Sequence, residues 1–162
     1  MDMQPKYRRV LLKLSGEALA AGADGILNFD FTAQVAAQIK RCVDAGVQVA
    51  VVVGAGNIWR GRQGTDMDRV RADHMGMLAT VINSIALQDA FIHAGMKAVV
   101  MTSVDIHAFA DSYTARDAIA AMEAGKVVIF GGGLGVPYFS TDTTAVLRAA
   151  EIHADCVLMA KN

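Results

Sequence analysis

The chain has 162 residues, the length of one domain with a sizeable core, and at 54% hydrophobic and 19% charged it is too apolar to be disordered. With 15 Lys and Arg against 16 Asp and Glu, its formal net charge of -1 excludes a broad basic surface for nucleic acid. Met1 to Arg9 is polar and too short for a signal peptide, and no uncharged apolar run is long enough for a bilayer, so a cytoplasmic protein without membrane attachment is expected. Cys42 and Cys156 lie far apart, form no metal or redox motif, and read as reduced core residues.

Tyr7–Leu14 (Y-R-R-V-L-L-K-L) predicts the first strand, followed by Ser15 and Gly16. Glu17–Asn28 holds Gly22 and Gly25 among small and polar residues and reads as a loop. Phe31, Val35, Ile39 and Val43 predict a helix over Asp30–Ala45, with Asp30 as N-cap and Gly46 closing it. Val47–Val53 is a β-branched run, apolar on both faces, as a buried parallel strand requires. It stops at Gly54-Ala55-Gly56, and a polar loop follows from Gly61 to about Asp66.

A long helix is predicted over Met67–Ala94, with Val70, Met77, Val81 and Ile85 as one stripe that Met75, Leu78 and Ile82 widen. So apolar a circumference predicts burial on two sides, in a core or against another subunit. Lys97–Met101 is a third strand, Asp111–Ala124 a helix, and Lys126–Phe130 a fourth strand ending at Gly131, Gly132, Gly133 and Gly135. Thr141–Ala154 is the last helix, capped by Thr141 or Asp142, and Cys156–Met159 begins a fifth strand. Three joins (D-A-G-V-Q-V, H-A-G-M-K-A, E-A-G-K-V-V) pass from helix through Ala-Gly into strand. This alternation predicts an α/β fold: a mostly parallel sheet sandwiched by helices, in one domain.

Lys13-Leu-Ser15-Gly16, Gly54-Ala-Gly56 with Arg60, and Gly131-Gly-Gly-Leu-Gly135 each follow a predicted strand, so all fall on the carboxyl edge of the sheet, where ligands bind. Glycine turns expose backbone N–H groups, and a lysine and an arginine add positive charge, which together suit a phosphorylated ligand. Any one of the turns alone would be an ordinary connection. Asp73 fits either a ligand hydroxyl or a helix N-terminus. Arg62, Arg69 and Arg71 read as a solvated loop and helix start, and Tyr138-Phe139 either walls a base or fills core. No G-x-x-x-x-G-K-[ST] is present, and the dinucleotide fingerprint breaks at Trp59 and again at Val136. The four histidines have no ligand spacing and there is no G-x-S-x-G, so neither a protein metal site nor a serine nucleophile is expected.

In combination, K-L-S-G-E-A-L from Lys13, V-V-V-G-A-G-N-I-W-R-G, D-H-M-G-M-L-A-T and P-Y-F-S-T-D-T resemble the bacterial uridylate kinases, a family of the three-layer amino-acid-kinase fold. The resemblance covers the chain from about Tyr7 onward. It implies transfer of the γ-phosphoryl group of ATP, accompanied by Mg²⁺, to UMP. Carried over by position, Lys13, Leu14, Ser15, Gly16, Gly56, Arg60 and Lys161 would meet ATP. Ala55, Asp73, Leu134, Gly135, Val136, Pro137, Tyr138, Phe139, Ser140 and Thr141 would meet UMP. Lys13, Arg60 and Asp142 would be the catalytic groups. The family also implies a homohexamer. Ala55, Leu134 and Val136 depart from its usual glycine, threonine and asparagine. Family members continue past Asn162 with segments that hold much of the adenine pocket and an aspartate that orients the lysine. The resemblance thus implies that residues 1–162 are the monophosphate-binding part, with the ATP-binding part largely absent, and that this stretch alone makes no UDP. A non-catalytic nucleotide- or phosphate-binding domain is the alternative. Carbamate and acetylglutamate kinases of the same fold match the motifs less well.

Overall fold

The computed structural model describes residues 4–60 and 66–160. Strands β1 (Arg9–Leu14), β2 (Gln48–Val53), β3 (Lys97–Thr102), β4 (Asp111–Ser112), β5 (Lys126–Gly131) and β6 (Cys156–Ala160) form one sheet, ordered β4-β3-β5-β2-β1-β6, with every pair parallel. The helices are α1 (Gly16–Ala20), α2 (Phe29–Asp44), α3 (Arg69–His93), α4 (Ala115–Glu123) and α5 (Thr141–Glu151). Side chains alternate across β2. Val49, Val51 and Val53 pack with Leu19, Ile39, Leu87 and Phe91 of α1, α2 and α3. Ala50 and Val52 face Ala118 and Met122 of α4 and Ala145 and Ala149 of α5. The result is three layers, and it explains why the strand sequences are apolar without interruption. Each fully buried Leu or Phe of these layers contributes about 1.5–3 kcal/mol.

The Ala-Gly joins are helix stops. Gly46, Gly95 and Gly125 take φ of 87°, 84° and 82°, the left-handed region a side chain disfavours. After α2, Gly46 N–H donates to Val43 O and Val47 N–H to Cys42 O, which closes the helix and launches β2.

Several local expectations are corrected. The stretch read as a loop over Glu17–Asn28 begins with α1, one short helical turn too brief for a periodicity signal. Asn28, not Asp30, caps α2, its side chain accepting from Phe31 N–H at 3.0 Å. The helix expected from Asp111 starts after Thr114, because Asp111 and Ser112 pair with Met101 and Thr102 as a sixth strand. Ser140, not Thr141 or Asp142, caps α5. Cys42 is exposed on α2 and Cys156 is half-buried, and both thiols are free.

By length and apolar content α3 could cross a bilayer, but it lies on the sheet with Leu87 and Phe91 fully buried. Its sides differ from the predicted stripe. Met77 and Val81 turn inward, Val70 is half-buried, and Met75, Leu78, Ile82, Ile85 and Ile92 face outward. The loop expected over Gly61–Asp66, with Arg62, lies outside the described residues up to 65.

On the opposite face, the buried Arg148 guanidinium stacks 3.9 Å from the Tyr113 ring centroid and pairs with Glu151 at 2.7 Å. Tyr113 Oη donates to the same carboxylate at 3.1 Å. Burial, aided by Glu151 against the opposing Arg148, pushes the phenol up to about 12, so it stays a donor at neutral pH.

β6 is pinned to β1 at its start, where the Asp155 carboxylate accepts the Arg8 and Arg9 backbone N–H groups at 2.8 and 2.9 Å. Those two bonds, that from Arg9 foremost, hold its carboxyl below the ordinary 3.8. A carboxyl depressed on folding stabilises the fold above its unfolded pKa and ceases to do so as pH falls through the folded value. Asp155→Ala should therefore be less stable than the parent at neutral pH, with the gap closing only below 3.8. Urea titrations across pH check this, and a gap unchanged down to about pH 2 would contradict it.

Candidate active site

β1, β2 and β5 are neighbours at the centre of the sheet, and their registers bring three glycine turns out side by side. Leu14 lies opposite Val53, and Gly54 N–H donates to Leu14 O at 3.0 Å. The turn after β1 then presses against the turn after β2. A Cβ on Gly16 would stand 2.6 Å from Gly54 O and 2.7 Å from Asn57 Oδ1, so only glycine fits.

α3 fastens these turns from above with buried polar side chains. Asn83 Nδ2 donates to Gly54 O at 2.8 Å, and its amide exchanges hydrogen bonds with that of Asn57 at 2.8 and 3.0 Å. Thr80 Oγ1 accepts from Gly132 N–H at 2.8 Å and donates to Met77 O. From β3's end, Ser103 Oγ reaches the carbonyls of Gly132 and Gly133 at 2.8 and 3.0 Å.

The turns enclose an open cavity of about 550 Å³ at the carboxyl edge. Of the residues singled out for ATP, Lys13, Ser15, Gly16, Gly56 and Arg60 line it. Of those singled out for UMP, Ala55, Asp73, Tyr138, Phe139, Ser140 and Thr141 line it too. A recess of about 140 Å³ adjoins it, walled by Leu134, Val136 and Phe139 with Met77 and Thr80 of α3. Leu14, Gly135 and Pro137 line neither space. Leu14 is buried in the core, and Gly135, at φ 79°, packs its backbone against Ser103. Lys161 lies outside the described residues. Ala55 keeps φ out of the positive range, so its N–H follows the glycine turn despite the added methyl.

Each cation of the cavity has a carboxylate partner. Lys13 Nζ, largely buried, stands 2.8 Å from Asp142 Oδ1 at the start of α5. Arg60 pairs with Glu17 of α1. Arg69 Nε lies 3.0 and 2.9 Å from the two oxygens of Asp73, whose Oδ2 also accepts Tyr138 N–H at 2.8 Å. Asp68 caps α3, and Asp73 lies past its first turn, on the cavity wall. Tyr138 and Phe139 are 64% and 60% exposed and form wall rather than core. Arg71 is solvated as expected, but Arg69 is not merely so, since it lines the cavity.

Sequence reasoning missed Glu17, Asn57, Thr80, Asn83 and Ser103. The signal in α3 was uncharged polar residues (Thr80, Asn83, Ser84) inside an apolar helix, because such groups are buried only with partners. Among the described residues no three His, Cys, Asp or Glu side chains gather to hold a metal ion.

The structure is an α/β protein whose parallel sheet brings glycine turns, a lysine and two arginines to one crevice at its carboxyl edge, a chemistry suited to anions. The amino acid kinase family model matches residues 8–162, and the chain belongs to that family. Among solved structures it is similar to the UMP kinase from Bacillus anthracis, with 40% identity, a TM-score of 0.93 and coverage of 98% of this chain and 66% of that one. The UMP kinase from Ureaplasma parvum is 37% identical, with a TM-score of 0.92 and coverage of 98% and 68%. The chain thus spans about two thirds of the length of these relatives.

Asn83→Ala should strand Gly54 O and the Asn57 amide, destabilising the fold by about 1–3 kcal/mol. Urea unfolding measures this, and a loss under about 0.5 kcal/mol would show that the clamp on the turn is dispensable.

Proposed function

We propose that this chain carries the acceptor side and the donor-phosphate cradle of a phosphotransferase that makes UDP from UMP and ATP in pyrimidine nucleotide biosynthesis in the cytoplasm. The observation that carries the reading is the single cavity in which Lys13, Arg60 and Asp73 meet the aromatic loop. The 40% identity to a UMP kinase supports it.

In this reading a phosphate oxygen of UMP attacks the γ-phosphorus in line, the bond to the bridging oxygen of ADP breaks, and the charge moves onto ADP. Little covalent chemistry is asked of the protein, so catalysis is positioning and charge stabilisation. Lys13 neutralises the transferring group, held in place by Asp142. The backbone of Ser15, Gly16 and Gly56 cradles donor phosphates, and Arg60 bridges donor and acceptor. Asp73 receives ribose hydroxyls, the Ala55 N–H meets the acceptor phosphate, and the loop from Leu134 through Gly135, Val136, Pro137, Tyr138, Phe139 and Ser140 to Thr141 wraps the nucleotide. The small recess suits a pyrimidine rather than a purine. ATP would enter as its Mg²⁺ complex, and the cradle suits that polyanion because the turns after β1 and β2 approach so closely that a Cβ at Gly16 would collide with Gly54 O and force them apart.

A coupled assay on the complete protein should show UDP formation, and calorimetry should rank UMP above AMP and GMP. Asp73→Asn should weaken UMP by about 1–3 kcal/mol. Equal affinity for all three monophosphates would remove the pocket assignment.

The second copy of the chain completes the proposal. Met75, Leu78, Ile82, Ile85 and Ile92 expose an apolar line on α3 at steps of three, four, three and seven residues, the seam of paired helices. A homo-oligomer that buries this line, hexameric as the family resemblance implies, is the assembly expected. Val81 is 3% exposed and Ile82 47%, so a charge at each should act differently. Val81→Lys should unfold the protein, while Ile82→Lys should leave a folded monomer. Sedimentation checks this, and an Ile82→Lys protein that keeps the parent's mass would place the contact elsewhere.

A further inference from the structure

Arg69 stands on the cavity wall with no part in the reaction proposed above. Its geometry is specific all the same. Its Nε is shared between both oxygens of Asp73, one helical turn further along α3, at 3.0 and 2.9 Å. Its guanidinium carbon lies 5.3 Å from the Tyr138 ring centroid, within range of a cation–π contact. The backbone of Tyr138 closes the triangle, donating to Asp73 Oδ2 at 2.8 Å. Tyr138 takes φ of 73°, costly for a side-chain-bearing residue and sustained only where its surroundings hold it. The three contacts come from two segments far apart in sequence, the first two turns of α3 and the loop after β5.

A lone carboxylate on a helix rotates freely, and ordering it costs part of what a hydrogen bond to it contributes. Here the carboxylate plane is already fixed. Oδ2 carries two donors and Oδ1 only the shared Nε, so the remaining acceptor capacity lies chiefly on Oδ1. We propose that Arg69 is a positioning residue for sugar recognition: it orients the Asp73 carboxylate to accept a ribose hydroxyl and, through Tyr138, fastens the nucleotide loop to α3. The inference rests on the proposal that Asp73 receives the ribose.

Arg69 should then act on sugar discrimination more than on phosphate attraction. The test is calorimetry of UMP and its 2′-deoxy and 3′-deoxy analogues, with amide hydrogen exchange at Tyr138 measured without nucleotide. The wild-type protein should favour UMP over at least one deoxy analogue by about tenfold, the scale of a hydrogen bond to a charged group. Arg69→Ala should bring that ratio to within about twofold and speed exchange at Tyr138. Arg69→Lys, which keeps the charge but loses the planar fork, should recover only part of the ratio. If Arg69→Ala weakens all three nucleotides equally, or leaves Tyr138 exchange unchanged, the positioning role is wrong. A wild-type protein that binds UMP without distinguishing the deoxy analogues overturns the inference and leaves the proposed function standing. A wild-type protein that binds no UMP overturns both, and unchanged unfolding curves for the variants exclude loss of fold as the cause.

Discussion

The constraint on which the structure depends is the contact between the turns after β1 and β2. Parallel strands in register deliver their carboxyl ends at one level, and here the two chains leave so close together that Gly16 has no room for a Cβ beside Gly54 O. Backbone approach of this kind gathers N–H groups that no side chain screens, which phosphate recognition needs. It also creates a problem, because the Gly54 carbonyl is left inside the protein. Asn83, wholly buried, answers it. The polar face of α3 is therefore a consequence of the glycine turns.

Charge follows the same logic. Three cations face the cavity, and each meets a carboxylate: Lys13 with Asp142, Arg60 with Glu17, Arg69 with Asp73. Two of the pairs join different elements, so they fix the spacing of β1, α1, α5 and the turn after β2 as well as the charge. Exposed pairs of this kind contribute little to stability, and their value lies in orientation. Lys13 is the exception, since it is 8% exposed, and removing Asp142 would leave an ammonium group desolvated beside the sheet.

Much of this was legible in the residues. Continuous β-branched runs and Ala-Gly stops dictated the strands and helix ends, because both follow from local chemistry. The glycine turns fall on one edge from the strand pattern alone, since every parallel strand ends there. What escaped depends on partners distant in sequence. β4 is two residues long and exists only because Met101 and Thr102 offer an edge. Ser140 outcompetes Thr141 as a cap by a difference of one residue in where the chain enters the helix. Arg69 among other charges looks solvated until Tyr138, 69 positions along, is folded back over it. Cys42 misled because a free cysteine is usually buried, whereas its place on α2 falls on the outer face.

α3 joins these themes, since a single helix serves three surroundings. Thr80 and Asn83 hold the glycine turns, Leu87 and Phe91 seal the sheet, and Leu78, Ile82 and Ile85 stand outward without cover. A helix with one apolar face could shift or rotate by some tens of degrees and keep most of its burial. This one cannot, because rotation would strip the Gly54 carbonyl and the Gly132 N–H of their partners at once. The polar bonds thus set the angle at which the outer line is presented. A second copy seated on that line would meet a surface whose orientation is fixed by the cavity floor. Any contact between copies on that line and the geometry of the cavity would in this way be set by the same few buried side chains.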